Sequence, residues 1–286
     1  MKVELVKPQG YCGGVTNAIK MAYQAKKDNP GKKIYVLGAL VHNDIVIESL
    51  RKDGIETLLG NPFELLETIN KEDVVIFTAH GHDERLDVLV KNKGLKSYDA
   101  TCPKVIDNAN KIKAELRAGH QVIYIGQKGH KETEAVLSIS NNISLYDIQL
   151  LINYQLITDN SPFVINQTTL NYLMLRGIHK DILSHIPGAR IADEVCVASR
   201  KRQEAVLNIA DDVDLIIIVG DKSSSNTRKL YNIASENHKT ATTYFVHNLE
   251  DLMKLKIDGF KKAAISSGAS TPSFVVEEIF NYLSTK

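Results

Sequence analysis

Ser97-Tyr98-Asp99-Ala100-Thr101-Cys102-Pro103 decides how this chain folds: a strand pattern over 97–100 runs into a cysteine, and a proline follows it. Proline is favoured in the first turn of a helix, where its missing N–H is not needed. Ile106, Ala109 and Leu116 then continue an apolar helical face as far as Gly119. The same order occurs twice more. Strand patterns at 3–6 and 190–195 run toward Cys12 and Cys196. Val15, Ile19 and Ala22 keep helical spacing up to the Asn29-Pro30-Gly31 stop, and Ala198, Ala205, Val206 and Ile209 do the same after Cys196. Cys12 and Cys102 are 90 positions apart, and Cys102 and Cys196 are 94 apart. That near-even spacing predicts three small domains, where 286 residues at roughly 150 per domain would suggest two.

Short aliphatic strand patterns at 33–38, 73–78, 121–126, 162–165, 214–220 and 262–266 alternate with helical patterns at 44–52, 131–139, 169–186, 226–237 and 273–283. Strands that are apolar on both faces and alternate with helices predict an α/β fold of parallel sheets, each face covered by helices. The expected division is a first domain over 15–100 and a second over 101–195. The third combines 1–14 with 196–286 and ends in a C-terminal helix, so the N-terminal strand joins the last third of the chain.

The composition excludes several classes of function. Apolar residues make up 43% and charged residues 24%, an ordinary globular balance without disordered or fibrous bias. Lys and Arg number 35 against 34 Asp and Glu, so the basic excess of a nucleic-acid-coating protein is missing. No run approaches the ~20 apolar residues that span a bilayer, and charges interrupt the apolar N-terminus; no membrane segment and a cytoplasmic location are expected. The cysteines number three and lie far apart, which argues for free or metal-bound thiols rather than a disulfide framework.

In open parallel sheets, ligands bind beyond the carboxyl ends of the strands. The loops there contain Leu40-Val41-His42-Asn43, Thr78-Ala79-His80-Gly81, Gly129-His130-Lys131-Glu132, Asn166-Gln167-Thr168-Thr169, Ser223-Ser224-Ser225-Asn226 and Ser267-Gly268-Ala269-Ser270-Thr271-Pro272. Taken singly, each has an ordinary explanation. Ser225 or Asn226, and Ser270 or Thr271, would serve as helix N-caps, Glu132 would complement a helix dipole, and a lone histidine is most often on the surface. Three cysteines at equivalent turns, with three histidines and several hydroxyls at neighbouring strand ends, are harder to explain as independent packing choices. The partial positive charge of a helix N-terminus favours thiolate, so each turn suits a sulfur ligand or nucleophile. If the three units pack around a common centre, three thiolates without a nearby fourth favour an iron–sulfur cluster with one open iron, or a zinc ion with a fourth ligand from elsewhere. No G-x-G-x-x-G, G-x-x-x-x-G-K-[ST] or C-x-x-C motif occurs, so any electrons are expected from another protein.

The motifs, in order along nearly the whole chain, resemble those of the LytB family of 4-hydroxy-3-methylbut-2-enyl diphosphate reductases. The resemblance rests on Gly10-Tyr11-Cys12-Gly13-Gly14-Val15, Asp99-Ala100-Thr101-Cys102-Pro103 and the six loops quoted above. It implies three α/β domains in pseudo-threefold arrangement around one central four-iron, four-sulfur cluster with Cys12, Cys102 and Cys196 as ligands. It further implies that His42, His80, His130, Ser224, Ser225, Asn226 and Ser270 grip the diphosphate of an allylic substrate. Glu132 would supply the proton for the departing hydroxyl, with Thr168 and His130 beside it, and a ferredoxin or flavodoxin would deliver two electrons. Isopentenyl and dimethylallyl diphosphate would be the products, at the last step of the methylerythritol phosphate route. Lys131 stands where the family more often has proline, and His82 and Asp83 where smaller or less polar residues are expected.

Two other readings fit a three-cysteine cluster: a hydro-lyase that uses the open iron without net electron transfer, and a non-catalytic redox sensor. A sensor needs an output surface, and the three units consume the chain. His247-Asn248 echoes His42-Asn43 but matches no motif and is read as structural.

Overall fold

The computed structural model describes residues 1–150, 154–192 and 194–286. The strands are β1 (Lys2–Leu5), β2 (Ile34–Leu37), β3 (Ile55–Leu58), β4 (Val74–Phe77), β5 (Lys96–Asp99), β6 (Val122–Gly126), β7 (Ile143–Asp147), β8 (Phe163–Asn166), β9 (Arg190–Ile191), β10 (Leu215–Val219), β11 (Thr242–Val246) and β12 (Lys262–Ser267). Among the described residues they form three four-stranded sheets, β3-β2-β4-β5, β7-β6-β8-β9 and β1-β12-β10-β11, with every pairing parallel. Counted from its own first strand, each of the first two sheets has the order 2-1-3-4, and the third has the same order when counted from β10 with β1 last. In the third sheet the fourth strand is β1, whose Lys2 to Leu5 pair with Lys262 to Ile265. One such sheet falls within each of 15–100, 101–195 and 1–14 plus 196–286.

The central strands show why their sequences are apolar without alternation. All five residues of β10 are fully buried. Leu215, Ile217 and Val219 pack with Val275, Ile279 and Leu283 of helix Ser273–Ser284. Ile216 and Ile218 point the other way, toward Val206, Leu230 and Ile233 of helices Val197–Leu207 and Ser225–Asn237. β6 repeats the arrangement, with Ile123 and Ile125 in one core and Val122 and Tyr124 in another. Successive side chains point to opposite faces, so a strand covered on both sides has no solvent-facing position to make polar.

Contacts divide the described chain into two compact units. One comprises Met1–Val15, His42–Glu48 and Cys196–Lys286, and contains the sheet closed by β1. The other comprises Thr16–Val41 and Ser49–Val195, and contains the remaining two sheets.

Three strands, β3, β7 and β11, lie outside the patterns singled out in the sequence, and all three are sheet edges. Edge strands are partly solvated and carry polar residues such as Glu56, Ser144 and Thr243, which dilutes an aliphatic signal. The strand expected at 190–195 is only Arg190–Ile191, and Asp193 lies outside the described residues. The helix expected from 169 begins at Tyr172, because Asn171 caps it by accepting from the backbone N–H groups of Leu173 and Met174.

Candidate active site

In a 2-1-3-4 parallel sheet the chain leaves strands 1 and 3 toward opposite edges, which opens a crevice at their carboxyl ends. The six strands in those positions are β2 and β4, β6 and β8, and β10 and β12. His42, His80, Glu132, Thr168, Ser224 and Ser270 lie in the six loops or helix starts that follow them, in that order. The topology therefore accounts for where the chemistry-bearing side chains sit.

At the ends of β6 and β8 the central group is Glu132, 2% exposed. Its Oε1 accepts the backbone N–H of Thr168 at 2.8 Å and the hydroxyl of Tyr124 at 3.3 Å, while Thr168 Oγ1 donates to Oε2 at 2.8 Å. Burial pushes the Glu132 carboxyl up from 4.5 to about 7, and the bonds from Thr168 and Tyr124 only partly offset it. The acid is thus poised to hold or release a proton near neutral pH. Tyr124, fully buried on β6, has its own hydroxyl driven to a higher pKa by burial and then by the charge of Glu132. Gln167 ties the two loops together: its Oε1 accepts the backbone N–H of Gln127 at 3.1 Å and the hydroxyl of Thr133 at 3.4 Å. His130 is the N-cap of helix Lys131–Leu137, with Nδ1 accepting the Glu132 N–H at 3.2 Å. The His80 ring meets that of His130 edge-on, with centroids 5.9 Å apart. Lys131, the first residue of this helix, pairs with Glu134.

In the unit closed by β1, Ser224 caps helix Ser225–Asn237 by accepting the Thr227 N–H at 3.3 Å. The cap is Ser224 and not Ser225 or Asn226 as the sequence suggests. The cap bond uses a lone pair, so the Ser224 hydroxyl can still act as a donor. Asn226 Oδ1 accepts the Ala269 N–H at 3.1 Å, and its Nδ2 donates to Ser199 Oγ at 3.0 Å. Ser270 Oγ donates to the His42 carbonyl at 2.9 Å. Neither Ser270 nor Thr271 caps the last helix. Pro272 occupies that position, and Thr271 Oγ1 donates to the Val219 carbonyl. Gly268 is required here, because a Cβ would run into Thr227 Oγ1. His247 Nδ1 lies 3.8 Å from Asp221, and the backbone N–H of His247 donates to Asp251 in helix Leu249–Met253, in keeping with a structural role.

Each cysteine is half-buried, without a disulfide, and immediately precedes a helix: Gly13–Asp28, Pro103–Arg117 and Val197–Leu207. The Cys12 N–H donates to the Ala269 carbonyl and the Cys102 N–H to the Ala79 carbonyl, both at 3.0 Å. Cys12 and Cys196 belong to one compact unit and Cys102 to the other. Among the described residues no three His, Cys, Asp or Glu side chains gather around a position for a single metal ion. As a donor set, three thiols outside disulfides at helix N-termini fit an iron–sulfur cluster, which takes one thiolate per iron rather than three around one ion.

Tyr124, Gln167, Ser199 and Arg202 carry no signal of a functional role in the sequence. Tyr124 is hidden inside an apolar strand. Arg202 and Ser199 belong to a helix whose only sequence signal is its apolar face, and Gln167 stands in a quoted motif without a role.

A neutralisable buried acid, hydroxyls and imidazoles at the switch points of repeated sheets, and thiols at helix starts define an α/β enzyme. Its family is shown by comparison: the chain belongs to the LytB protein family, whose model matches residues 3–284. It is 36% identical over 289 residues to the 4-hydroxy-3-methylbut-2-enyl diphosphate reductase of Lysinibacillus sphaericus (strain C3-41), covering 99% of this chain and 88% of the relative. Against the enzyme of that name from Symbiobacterium thermophilum it is 35% identical, covering 99% and 97%. Among solved structures, the E-1-hydroxy-2-methyl-but-2-enyl-4-diphosphate reductase from Plasmodium falciparum superposes with a TM-score of 0.88 at 27% identity, over 99% of this chain and 87% of that one. A second structure, described as the terminal enzyme of the non-mevalonate pathway, matches at a TM-score of 0.71 and 29% identity, with 100% coverage of both chains. The resemblance carried by the motifs is therefore family membership.

Proposed function

We propose that this chain is a 4-hydroxy-3-methylbut-2-enyl diphosphate reductase, converting the allylic alcohol (E)-4-hydroxy-3-methylbut-2-enyl diphosphate, two electrons and two protons into isopentenyl or dimethylallyl diphosphate and water. The observation that carries the chemistry is Glu132, a buried carboxyl held by Thr168 and Tyr124 and pushed up to about 7. One four-iron, four-sulfur cluster, held by Cys12, Cys102 and Cys196, would supply electrons and Lewis acidity when bound.

The protein's own residues do the rest. An allylic hydroxyl leaves as water only if it is protonated. A protonated Glu132 donates from Oε2 to Thr168 Oγ1, reversing the direction of that 2.8 Å bond, and the Thr168 hydroxyl proton passes on to the substrate oxygen. The Thr168 N–H and the Tyr124 hydroxyl remain on Oε1 and stabilise the carboxylate left behind. We assign the diphosphate to His42, His80, His130, Ser224, Ser225, Asn226 and Ser270, which offer neutral or switchable donors. Helix N-termini favour such an anion, consistent with a chain of net charge +1 that does not depend on overall basicity. A ferredoxin or flavodoxin is the proposed electron donor, and the cytoplasm the proposed location; no described helix is long and apolar enough to cross a membrane.

The test is anaerobic turnover of the hydroxylated diphosphate with and without a reductant, together with iron and sulfide analysis. Reductant-dependent formation of the two isoprenoid diphosphates, with about four iron and four sulfide per chain, is expected. Turnover without an electron donor would favour a hydro-lyase, and stoichiometric zinc would remove the cluster from the scheme.

A further inference from the structure

We infer that Arg202 is a positioning residue for the proposed cluster: its buried guanidinium braces the backbone beside Cys12 and Cys196 and supplies the fixed positive charge that raises the cluster's reduction potential. The inference rests on the cluster assignment above.

Arg202 lies in helix Val197–Leu207, in the second turn after Cys196, and is 3% exposed. Its Nη1 donates to the Ala198 carbonyl at 3.1 Å, and its Nη2 to the Gly10 carbonyl at 2.7 Å. Those carbonyls stand two residues after Cys196 and two residues before Cys12. One side chain thus links the backbones that carry two of the three cysteines. Asn226 makes a second link, from Ser199 on the same helix to Ala269, whose carbonyl takes the Cys12 N–H.

Its charge is the less ordinary feature. Arg202 Nε is buried without a hydrogen-bond partner, and among the described residues no carboxylate pairs with the guanidinium. Arginine remains protonated in proteins, and a buried unpaired cation is costly. Burial lowers the Arg202 pKa, and the groups that offset this are the sulfurs of Cys12 and Cys196. A cation kept there needs negative charge close by, and thiolates bound to a cluster provide it. Reduction adds one more negative charge to that cluster, and a fixed neighbouring cation in a medium of low dielectric favours the reduced form.

The experiment compares the holoprotein, purified anaerobically, with Arg202→Gln, Arg202→Met and Arg202→Lys by iron and sulfide analysis and by mediated redox titration. In the Gln and Met variants, the equilibrium constant for one-electron reduction is expected to fall at least tenfold, or 59 mV for a one-electron couple. The Lys variant, which keeps the charge, should stay within about threefold of wild type. If the Gln and Met variants assemble no cluster while Lys does so at normal potential, the charge is required for assembly and the inference stands. Unchanged potentials in the Gln and Met variants overturn it. A folded Lys variant that loses the cluster overturns the role of the charge and leaves only the brace, because the hydrogen-bonding fork to Ala198 and Gly10 would then explain by itself why arginine stands here. Wild-type protein reconstituted anaerobically without iron and sulfide uptake would instead sink the cluster assignment itself, independently of Arg202.

Discussion

Replacing Glu132 by Gln separates the chemistry of this acid from its fit. With the amide oxygen in the place of Oε1, it still accepts from Thr168 N–H and Tyr124 O–H, and the amide nitrogen donates to Thr168 Oγ1. The variant therefore copies the shape and bonding of the protonated acid but has no proton to give. Turnover should fall by about 10²–10⁴, the usual contribution of a general acid, with the cluster spectrum preserved. Stability gives a second readout. Between pH 4.5 and about 7 the folded protein keeps a proton on Glu132 that the unfolded chain has released, so its contribution to stability falls as pH rises through that window. At 1.36 kcal/mol per unit, the rise from 4.5 to about 7 corresponds to about 3 kcal/mol, lost in full above the upper value. The amide introduced by Glu132→Gln does not titrate, so the variant should gain about 3 kcal/mol on wild type between acid and alkaline pH. Urea unfolding of both proteins at pH 4, 7 and 9 measures this. A stability difference independent of pH would refute the raised pKa, and undiminished turnover in the variant would refute the acid role.

Other substitutions address the remaining parts. Thr168→Val removes the hydroxyl that donates to Oε2 and holds the Glu132 pKa down. The alkaline limb of the pH–rate profile should move to higher pH while turnover drops about 10- to 100-fold; an unmoved limb would contradict the coupling. Cys196→Ser should lower iron content and alter the visible spectrum, and an unchanged cluster would remove Cys196 from the ligand set. Asn226→Ala strands the Ala269 N–H and the Ser199 hydroxyl and should cost about 1–3 kcal/mol in chemical unfolding, together with weaker substrate binding. Gly268→Ala places a methyl against Thr227 Oγ1 and should destabilise the protein by about 1–3 kcal/mol; a neutral result would mean the loop can shift without penalty.

What the sequence determined by itself follows from the range of its signals. The continuous aliphatic runs of β4, β6 and β10, the helix stops, and the proline after Cys102 are local, and they specify parallel α/β architecture because buried strands have no polar face to display. The repeated placement of a cysteine after the fourth strand of each sheet was legible as spacing, and the motif loops were legible as candidate ligands. Tertiary structure decided the edge strands β3, β7 and β11, which carry weak local patterns and exist because a neighbour offers backbone partners. It decided that Ser224, rather than Ser225, caps its helix, because capping depends on where the chain turns. Above all it decided the properties of Glu132 and Arg202. A carboxyl in a first helical turn and an arginine in the second turn of a helix look solvated in sequence. Only packing withdraws the water that would keep one acidic and leave the other indifferent to its neighbours, and desolvation is a sum over residues distant in the chain.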